Sequence, residues 1–272
     1  MKETPHHTTW AIGIMKAIAG YTGRKTINFI NHLLDLFAFT FRLFELFITR
    51  PVAGRALIKK AVVEQIYFTA VQALSVIIPI AIMVGTMLII QYTKLSGDID
   101  IGKVTVVLVI RELGPIITAL IVILRSATAV TIEISSMTVF NEIDALEMQG
   151  IDPMRIVSFS RFVGISTAVF CMFIVFDIVA IFGGYVIVWI TTDVPMGNFL
   201  ELVGKAITPT DMVVGVIKAL SFGISITVIS LFHGFKTQKI ITMIPVSASK
   251  SAVESFLWIM VINIFISAIF YL

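Results

Sequence analysis

The chain has 272 residues, of which 58% are hydrophobic and 14% are charged, with a formal net charge of +3. Soluble domains carry about 25% charged residues, so this composition excludes an ordinary soluble protein and indicates an integral membrane protein. The basic residues are separated by apolar runs and form no single basic face, which argues against a nucleic-acid partner. The lone cysteine, Cys171, provides neither a disulfide framework nor a cysteine-based metal site.

Residues 1–23 are expected to form a loose cytoplasmic tail, and residues 24–50 a helix lying in the membrane interface. The second segment is rich in Phe, Leu and Ile, and polar residues recur about once per helical turn, as in an amphipathic interfacial helix. A spanning helix would instead place Asp35, Arg42 and Glu45 in hydrocarbon, at about 2.5–3.5 kcal/mol each.

Five later apolar runs each reach the roughly 20 residues that a helix needs to cross a bilayer. We therefore predict an all-α integral membrane protein with an N-terminal interfacial amphipathic helix and five transmembrane helices. The first and third runs are longer than necessary, so Pro79 and the pair Gly183-Gly184 are predicted bends. The predicted spans are Val62–Tyr92, Val104–Ser135, Ile156–Ile190, Met212–Phe232 and Ala252–Leu272.

The distribution of Lys and Arg predicts the orientation of these spans. Fourteen of the 20 basic residues fall on one side of the membrane, three on the other and three within spans. Because basic residues favour the cytoplasmic side, the N-terminus is predicted inside and the C-terminus outside. Tyr92, Trp189 and Tyr271 then lie at outer helix ends, where an aromatic belt is expected.

Two outer segments carry local signals. Gly97–Lys103 matches the start of a phosphate-binding loop, but Val104 replaces the magnesium-binding hydroxyl and the two intervening aspartates would repel phosphate. A turn between spans is the better interpretation, so we expect no nucleotide, other cofactor, metal or catalytic residue in this chain. Thr208-Pro209-Thr210-Asp211 predicts a capping box that starts the fourth span.

The inner loop between the second and third spans predicts a short helix at about 138–149, capped by Thr138 and closed by Gly150. A solvated connector and a docking surface for a soluble partner both fit an acidic, partly apolar helix of this kind. The residues that would contact the partner are Glu142, Asp144, Leu146, Glu147 and Gly150.

Several polar or small residues fall inside predicted spans. Asp177 is expected to bond to a neighbouring helix or to meet Lys218, and Arg125 and Glu133 to form a structural or conformational pair. The series Gly215, Ala219, Gly223 and Thr227 predicts a close-packing seam, either within the protomer or at a dimer interface.

A set of short motifs lies between Arg111 and Phe235: Arg111-Glu112-Leu113-Gly114-Pro115, Thr118-Ala119-Leu120, Arg125, Glu133, Glu142–Leu146, Gly150–Pro153, Phe182-Gly183-Gly184, Ile217-Lys218 and Ser230–Phe235. In these motifs the chain resembles the MlaE/YrbE permeases of MCE-type lipid ABC transporters, and the resemblance runs from about Arg50 to its end. It departs from them at 245–251, where such permeases show a Gly-rich segment containing Arg-Ala-Thr and this chain has PVSASKS.

The resemblance implies that residues 51–272 form a permease domain that works as a homodimer in the bacterial inner membrane. It implies an MlaF-like ABC ATPase that binds ATP and magnesium and grips the 138–149 helix as a coupling helix. It also implies an MlaD-like MCE-domain protein on the outer side and, as an optional partner, a small MlaB-like STAS-domain regulator.

The resemblance further implies a phospholipid cavity between protomers, open to the outer side, with Tyr92, Arg111, Glu112 and Lys218 at its polar positions. A few cations in a largely apolar cavity suit an anionic phosphate with two apolar tails. From the residues alone, Arg111 and Glu112 can also be an ion pair at a helix start, and Lys218 can snorkel to the outer interface.

The expected function is that of the permease subunit of an ATP-driven phospholipid transporter that serves outer-membrane lipid asymmetry or envelope lipid trafficking. The chief alternative is a self-contained, ion-coupled secondary transporter or channel. In that alternative Asp177, Arg125 and Glu133 would form the ion relay.

Overall fold

A computed structural model describes residues 6–48, 55–95, 106–192 and 207–271, together with Gly197, Glu201, Gly204 and Lys205. These residues are almost entirely helical and include no β-strand. The chain divides into two compact units, residues 1–48 and 49–272. The all-α prediction is confirmed.

The first unit consists of helix α1, His6–Ile48. We expected a loose tail up to residue 23, and this was wrong, because the helix begins at His6. Residues 6–23 contain no proline and include Ala11, Ala17 and Ala19, and alanine has the highest helix propensity. Its location in the membrane interface stays a prediction.

The second unit contains five helices that are long and apolar enough to cross a membrane, as the sequence predicted. Their ends differ from the predicted ones by several residues, most at the fifth span. The spans are Ile58–Leu88, Val109–Val139, Met154–Val186, Pro209–Phe235 and Met243–Phe270.

The first three spans are not regular α-helices. A 3-10 turn at Val71–Ala73 divides the first span, and three wide π-helical turns interrupt the second and start the third. Such turns often occur at functional sites because they displace side chains from the α-helical register. The π turns are Val106–Leu113, Ile123–Ala127 and Met154–Ser158; the α-helices are α2 Arg55–Thr69, α3 Leu74–Leu95, α4 Gly114–Val122, α5 Thr128–Val139, α6 Glu142–Met148, α7 Phe159–Thr192, α8 Pro209–Phe235 and α9 Met243–Tyr271.

The fifth span begins at Met243, nine residues before the predicted start at Ala252. The polar residues that suggested a loop find partners inside the bundle instead. Ser251 Oγ accepts from Thr131 Oγ1 at 3.0 Å, and Ser247 Oγ accepts from Thr237 Oγ1 at 2.9 Å. Satisfied hydroxyl groups can enter a helix at membrane depth, which hydropathy alone does not reveal.

The third span packs closely against both the first and the fourth. A Cβ atom at Gly85 would lie 2.0 Å from the Ala180 carbonyl oxygen, and one at Gly184 would lie 2.6 Å from the Gly85 carbonyl carbon. Helix α7 continues through Gly183-Gly184, and these small residues serve a close crossing with the first span. The predicted bend there stays a prediction.

The small-residue seam of the fourth span also faces the third span. A Cβ atom at Gly223 would lie 2.8 Å from Ser166 Cα, and one at Gly215 would lie 2.7 Å from Phe173 Cζ. Ala219 and Thr227 of the same seam are fully buried. The seam thus packs against a helix of the same protomer, as the first of the two predicted alternatives stated.

Replacing Gly85 by Ala should destabilise the protein, because the new methyl group meets backbone that cannot rotate away. Overpacking of this kind costs about 1–3 kcal/mol. The matched control is Gly204→Ala, since nothing lies within 4 Å of a Cβ atom there. Thermal unfolding in detergent should show a lower midpoint for Gly85→Ala only; equal midpoints would contradict the close crossing.

Candidate functional site

A cluster of charged residues joins the second, fourth and fifth spans near their predicted outer ends. Its centre is Lys218, whose side chain is fully buried. The ammonium group donates to Arg111 O at 2.7 Å, Ser267 Oγ at 2.7 Å and Glu112 Oε1 at 3.1 Å. Three oxygens therefore satisfy the three donors of the ammonium group.

The Arg111 carbonyl is available to Lys218 for a local reason. Four residues further along the chain stands Pro115, which has no backbone N–H to donate. The sequence break Gly114-Pro115 and the π turn before it thus create the acceptor that a buried lysine requires.

Glu112 is the acceptor shared by the fourth and fifth spans. Besides Lys218, it accepts from Asn263 Nδ2 at 2.9 Å and from Ser267 Oγ at 2.8 Å. A carboxylate that faces only donors is stabilised at membrane depth. Asn263 and Ser267 carried no recognisable signal in the sequence, because their partners lie about 150 positions away in the chain.

Arg111 pairs with Asp211 at the start of the fourth span. Its Nε atom lies 2.6 Å from Asp211 Oδ1, and its Nη2 atom donates to Oδ2 at 3.0 Å. Asp211 also closes the predicted capping box: Thr208 N donates to its carboxylate at 3.0 Å, and Thr208 Oγ1 accepts from Asp211 N at 3.3 Å. The capping box is confirmed; the link from this cap to Arg111 was not predicted.

Three of the four predicted substrate positions thus come together. Arg111 pairs with Asp211 and Glu112 pairs with Lys218, so both residues form ion pairs with the fourth span. Snorkelling of Lys218 was the wrong alternative, because its side chain is buried among helices. The side chain of Tyr92 lies outside the described residues, and the lipid role of all four residues stays a prediction.

Asp177 does not meet Lys218, which bonds to Glu112 instead. It lies against Gly114, where a Cβ atom would be 2.2 Å from Asp177 Oδ1. In the described part of the chain this buried oxygen has no hydrogen-bond partner. Gly114 therefore makes room for a membrane-embedded carboxyl group beside the break in the second span.

The predicted Arg125–Glu133 pair is wrong. Eight residues of helix separate them by about 12 Å, which is too far for a direct contact. Arg125 donates to Phe68 O at 2.7 Å and to Gln72 Oε1 at 3.0 Å, and its guanidinium lies 5.0 Å from the centre of the Phe68 ring. Glu133 pairs with Arg161 of the third span at 2.5 Å.

The predicted coupling helix is shorter than expected and exposed. Helix α6 spans Glu142–Met148 and has no buried residue. Thr138 does not cap it, because its hydroxyl donates to Ile134 O at 2.9 Å within the preceding helix. Asn141, with φ 59°, makes the turn into α6, and Gly150, with φ 74°, follows its end as predicted.

Hydrogen bonds tie the end of the second span, which leads into α6, to the fourth span and to the loop that follows it. Thr138 Oγ1 also lies 3.3 Å from Gly234 O, and Ser135 and Thr237 share a hydrogen bond of 2.8 Å. Asp144 on α6 forms an ion pair with Lys239 in the loop between those spans. A force applied to α6 would therefore reach the end of the fourth span and the loop between the fourth and fifth spans.

Replacing Lys218 by Met should strongly destabilise the protein, because Glu112 would keep its buried charge without its cation. Breaking a buried pair on one side costs about 3–5 kcal/mol. The double variant Lys218→Met/Glu112→Gln should recover part of that loss. Lys205→Met is the control: its exposed pair with Glu201 contributes about 0.3–0.5 kcal/mol. Equal unfolding midpoints for Lys218→Met and Lys205→Met would contradict the described network.

Known proteins resemble this chain over most of its length. It is 26% identical over 258 residues to a probable ABC transporter permease protein of Rickettsia conorii, covering 93% of this chain and 98% of that protein. It is 28% identical over 214 residues to the intermembrane phospholipid transport system permease protein MlaE of Haemophilus influenzae, covering 77% and 82%. It is also 25% identical over 212 residues to the chloroplastic protein TRIGALACTOSYLDIACYLGLYCEROL 1 of Arabidopsis thaliana, covering 76% and 61%.

A family model described as permease MlaE matches residues 62–269. This range contains α6, the Lys218 cluster and all five spans, apart from the first four residues of the first span and the last residue of the fifth. The resemblance that the Arg111–Pro153 motifs indicated is thereby confirmed. This chain is a multi-pass membrane protein and belongs to the MlaE permease family.

Proposed function

We propose that this chain is the transmembrane permease subunit of an ATP-driven phospholipid transporter of the MCE/Mla type. The observation that carries the proposal is the family match over residues 62–269, together with a phospholipid transport permease among the relatives. Such a transporter would maintain outer-membrane lipid asymmetry or move lipid across the envelope.

The proposed assembly contains two copies of this chain in the bacterial inner membrane, with the N-terminus in the cytoplasm and the C-terminus in the periplasm. An MlaF-like ABC ATPase binds ATP and magnesium, so the chain itself carries no cofactor and is not an enzyme. An MlaD-like MCE-domain protein extends the lipid path on the outer side, and a small MlaB-like STAS-domain protein regulates the ATPase.

Helix α6 is the proposed docking element for the ATPase. It is exposed, carries Glu142 and Asp144 in its first turn, and has an exposed apolar residue, Met148, at its end. An acidic helix with an apolar end suits a groove that offers both cations and apolar side chains. The ion pair of α6 with Lys239, and the bonds of the preceding helix to Gly234 and Thr237, would pass its movement to the fourth span and the loop after it.

That movement would change the contacts of the Lys218 cluster, where the proposed lipid cavity lies. Arg111 is the more accessible cation, with 23% of its side chain exposed, whereas Lys218 is fully buried. Arg111 is thus the first cation that a lipid phosphate would meet. Lys218 would contact the phosphate only when movement of the fourth or fifth span separates its ammonium group from Glu112 or Ser267.

The ion-coupled alternative receives less support. Its relay required Arg125, Glu133 and Asp177 to act in sequence. Arg125 bonds to the first span, Glu133 pairs with the third, and Asp177 lies against Gly114 near the other end of the second span. The described contacts therefore divide these residues among three separate sites.

The double change Glu142→Lys/Asp144→Lys should abolish co-purification of the ATPase, because it reverses the charge of the docking turn. Asp144→Lys also replaces the pair with Lys239 by repulsion. The matched control is Glu201→Lys, an exposed acid in the segment between the third and fourth spans. Retained ATPase and unchanged lipid-stimulated hydrolysis in the double variant would refute the docking assignment.

The change Tyr92→Glu should lower the amount of phospholipid that co-purifies, because a carboxylate at a cavity position repels the lipid phosphate. Tyr92→Phe is the control, since it keeps the ring without adding charge. Mass spectrometry of extracted lipid provides the measurement. A folded Tyr92→Glu variant with undiminished lipid would remove Tyr92 from the site.

A further inference from the structure

A second cavity lies away from the outer cluster, between the first, second and third spans. Its volume is about 290 Å³. Its polar lining consists of Glu64 and Gln65 from the first span, Glu133 from the second, and Ser160 and Arg161 from the third. Phe68 and three smaller apolar residues complete it. None of the proposed transport steps uses this cavity.

The three spans place this cavity at one depth. Glu64 lies six residues after Ile58, Glu133 six residues before Val139, and Arg161 seven residues after Met154, about 9–10 Å from each span end. The first span has 31 residues and is about 46 Å long, whereas the hydrocarbon core is about 30 Å thick. The cavity therefore lies near the boundary between headgroups and hydrocarbon, on the side predicted to be cytoplasmic.

The charges of the lining favour a cation. Arg161 neutralises one carboxylate, with its Nη2 atom 2.5 Å from Glu133 Oε1, and its Nη1 atom donates to Val157 O at 3.2 Å. Glu64 supplies a second carboxylate. Within the described residues only one oxygen of Glu133 is bonded, and 55% of this side chain is exposed. The cavity thus offers carboxylate acceptors to an arriving donor.

The acceptors favour an ammonium group with N–H donors over a quaternary one. A quaternary ammonium is recognised mainly by aromatic faces. The ring of Phe68 already packs against the Arg125 guanidinium at 5.0 Å. Carboxylates instead form charge-assisted hydrogen bonds, which need an N–H donor.

The size of the cavity and its surroundings point to a lipid headgroup. Cavities that bind whole drug-sized ligands have volumes of about 300–1,000 Å³. The 290 Å³ of this cavity therefore suits a headgroup without its acyl chains. Lys60, one turn before Glu64, holds its exposed ammonium group 3.8 Å from the Glu64 carboxylate. It supplies a cation for the phosphate of a headgroup whose amine enters the cavity. Nearby Val63 and Tyr67 are exposed apolar surface on the same span.

We propose that this cavity binds the headgroup of a zwitterionic phospholipid with a primary amine, of the phosphatidylethanolamine class, from the cytoplasmic leaflet. Glu64 and Glu133 accept hydrogen bonds from the ammonium group, and Lys60 pairs with the phosphate. The site depends on the membrane location of the spans and not on the proposed transport activity.

The test is a lipid titration of the delipidated full chain in detergent, followed by native mass spectrometry. Phosphatidylethanolamine, phosphatidylcholine and phosphatidylglycerol with identical acyl chains are compared. Phosphatidylethanolamine should bind most tightly. Glu133→Gln and Glu64→Gln should each weaken its binding about tenfold, the effect of losing one charge-assisted hydrogen bond, and leave phosphatidylglycerol binding unchanged.

Two controls keep the test decisive. Glu201→Gln removes an exposed carboxylate outside the cavity and should leave all three affinities unchanged. Glu64→Gln keeps the test valid if Glu133→Gln unfolds the protein. Glu64 is exposed, and its one ion pair within the described part of the chain is the 3.8 Å contact with Lys60. Soluble glycerophosphoethanolamine tests whether the acyl chains are needed.

Three results would overturn the proposal: equal affinities for the three lipids, an unchanged lipid preference in Glu64→Gln, or binding of the soluble headgroup as tight as that of the lipid. ATPase co-purification is measured on the same variants. Lost amine preference with retained ATPase would support this site independently of the proposed transporter, whereas lost ATPase binding with an intact preference would concern the transporter alone.

Discussion

Much of the second unit depends on one constraint: an ionised side chain in a membrane helix needs a partner there, since hydrocarbon offers none. The ammonium group of Lys218 satisfies this constraint with three oxygens, two from the second span and one from the fifth. Glu112 receives donors from the fourth and fifth spans in return. Charges that would each oppose insertion thus hold three helices together, because separation would leave them buried and unpaired.

Breaks in the helices provide the acceptors for these charges. The π turn at Val106–Leu113 and Pro115 leave the Arg111 carbonyl to Lys218, and the interruption between α2 and α3 leaves the Phe68 carbonyl to Arg125. A regular α-helix would use both carbonyls internally. In this family member, irregular backbone and intramembrane cations therefore occur together for a physical reason.

The two ends of the bundle differ in how easily their contacts can change. At the end that carries α6, neutral hydroxyl groups of Thr131, Ser135 and Thr237 link the second span to the fourth and fifth. Neutral hydrogen bonds contribute about 0.5–1.5 kcal/mol each and exchange partners at small cost. At the other end, buried ion pairs make partner exchange costly. Contacts at the end that carries α6 can therefore change at a lower cost in free energy than those of the outer cluster.

The sequence by itself determined the class of protein, the existence of five spans, the capping box at Thr208 and the family, because these features depend on local composition and short motifs. It placed Arg111, Glu112 and Lys218 among the important residues. It did not identify their partners, since Asp211, Asn263 and Ser267 lie 100 or more positions away from Arg111 and Glu112 in the chain. Only the tertiary structure decided which groups meet: helix packing brought Arg125 to the first span, joined Glu133 to Arg161, and turned the seam of small residues towards the third span. Periodicity shows which face of a helix is polar, but only the crossing of two helices shows what that face contacts.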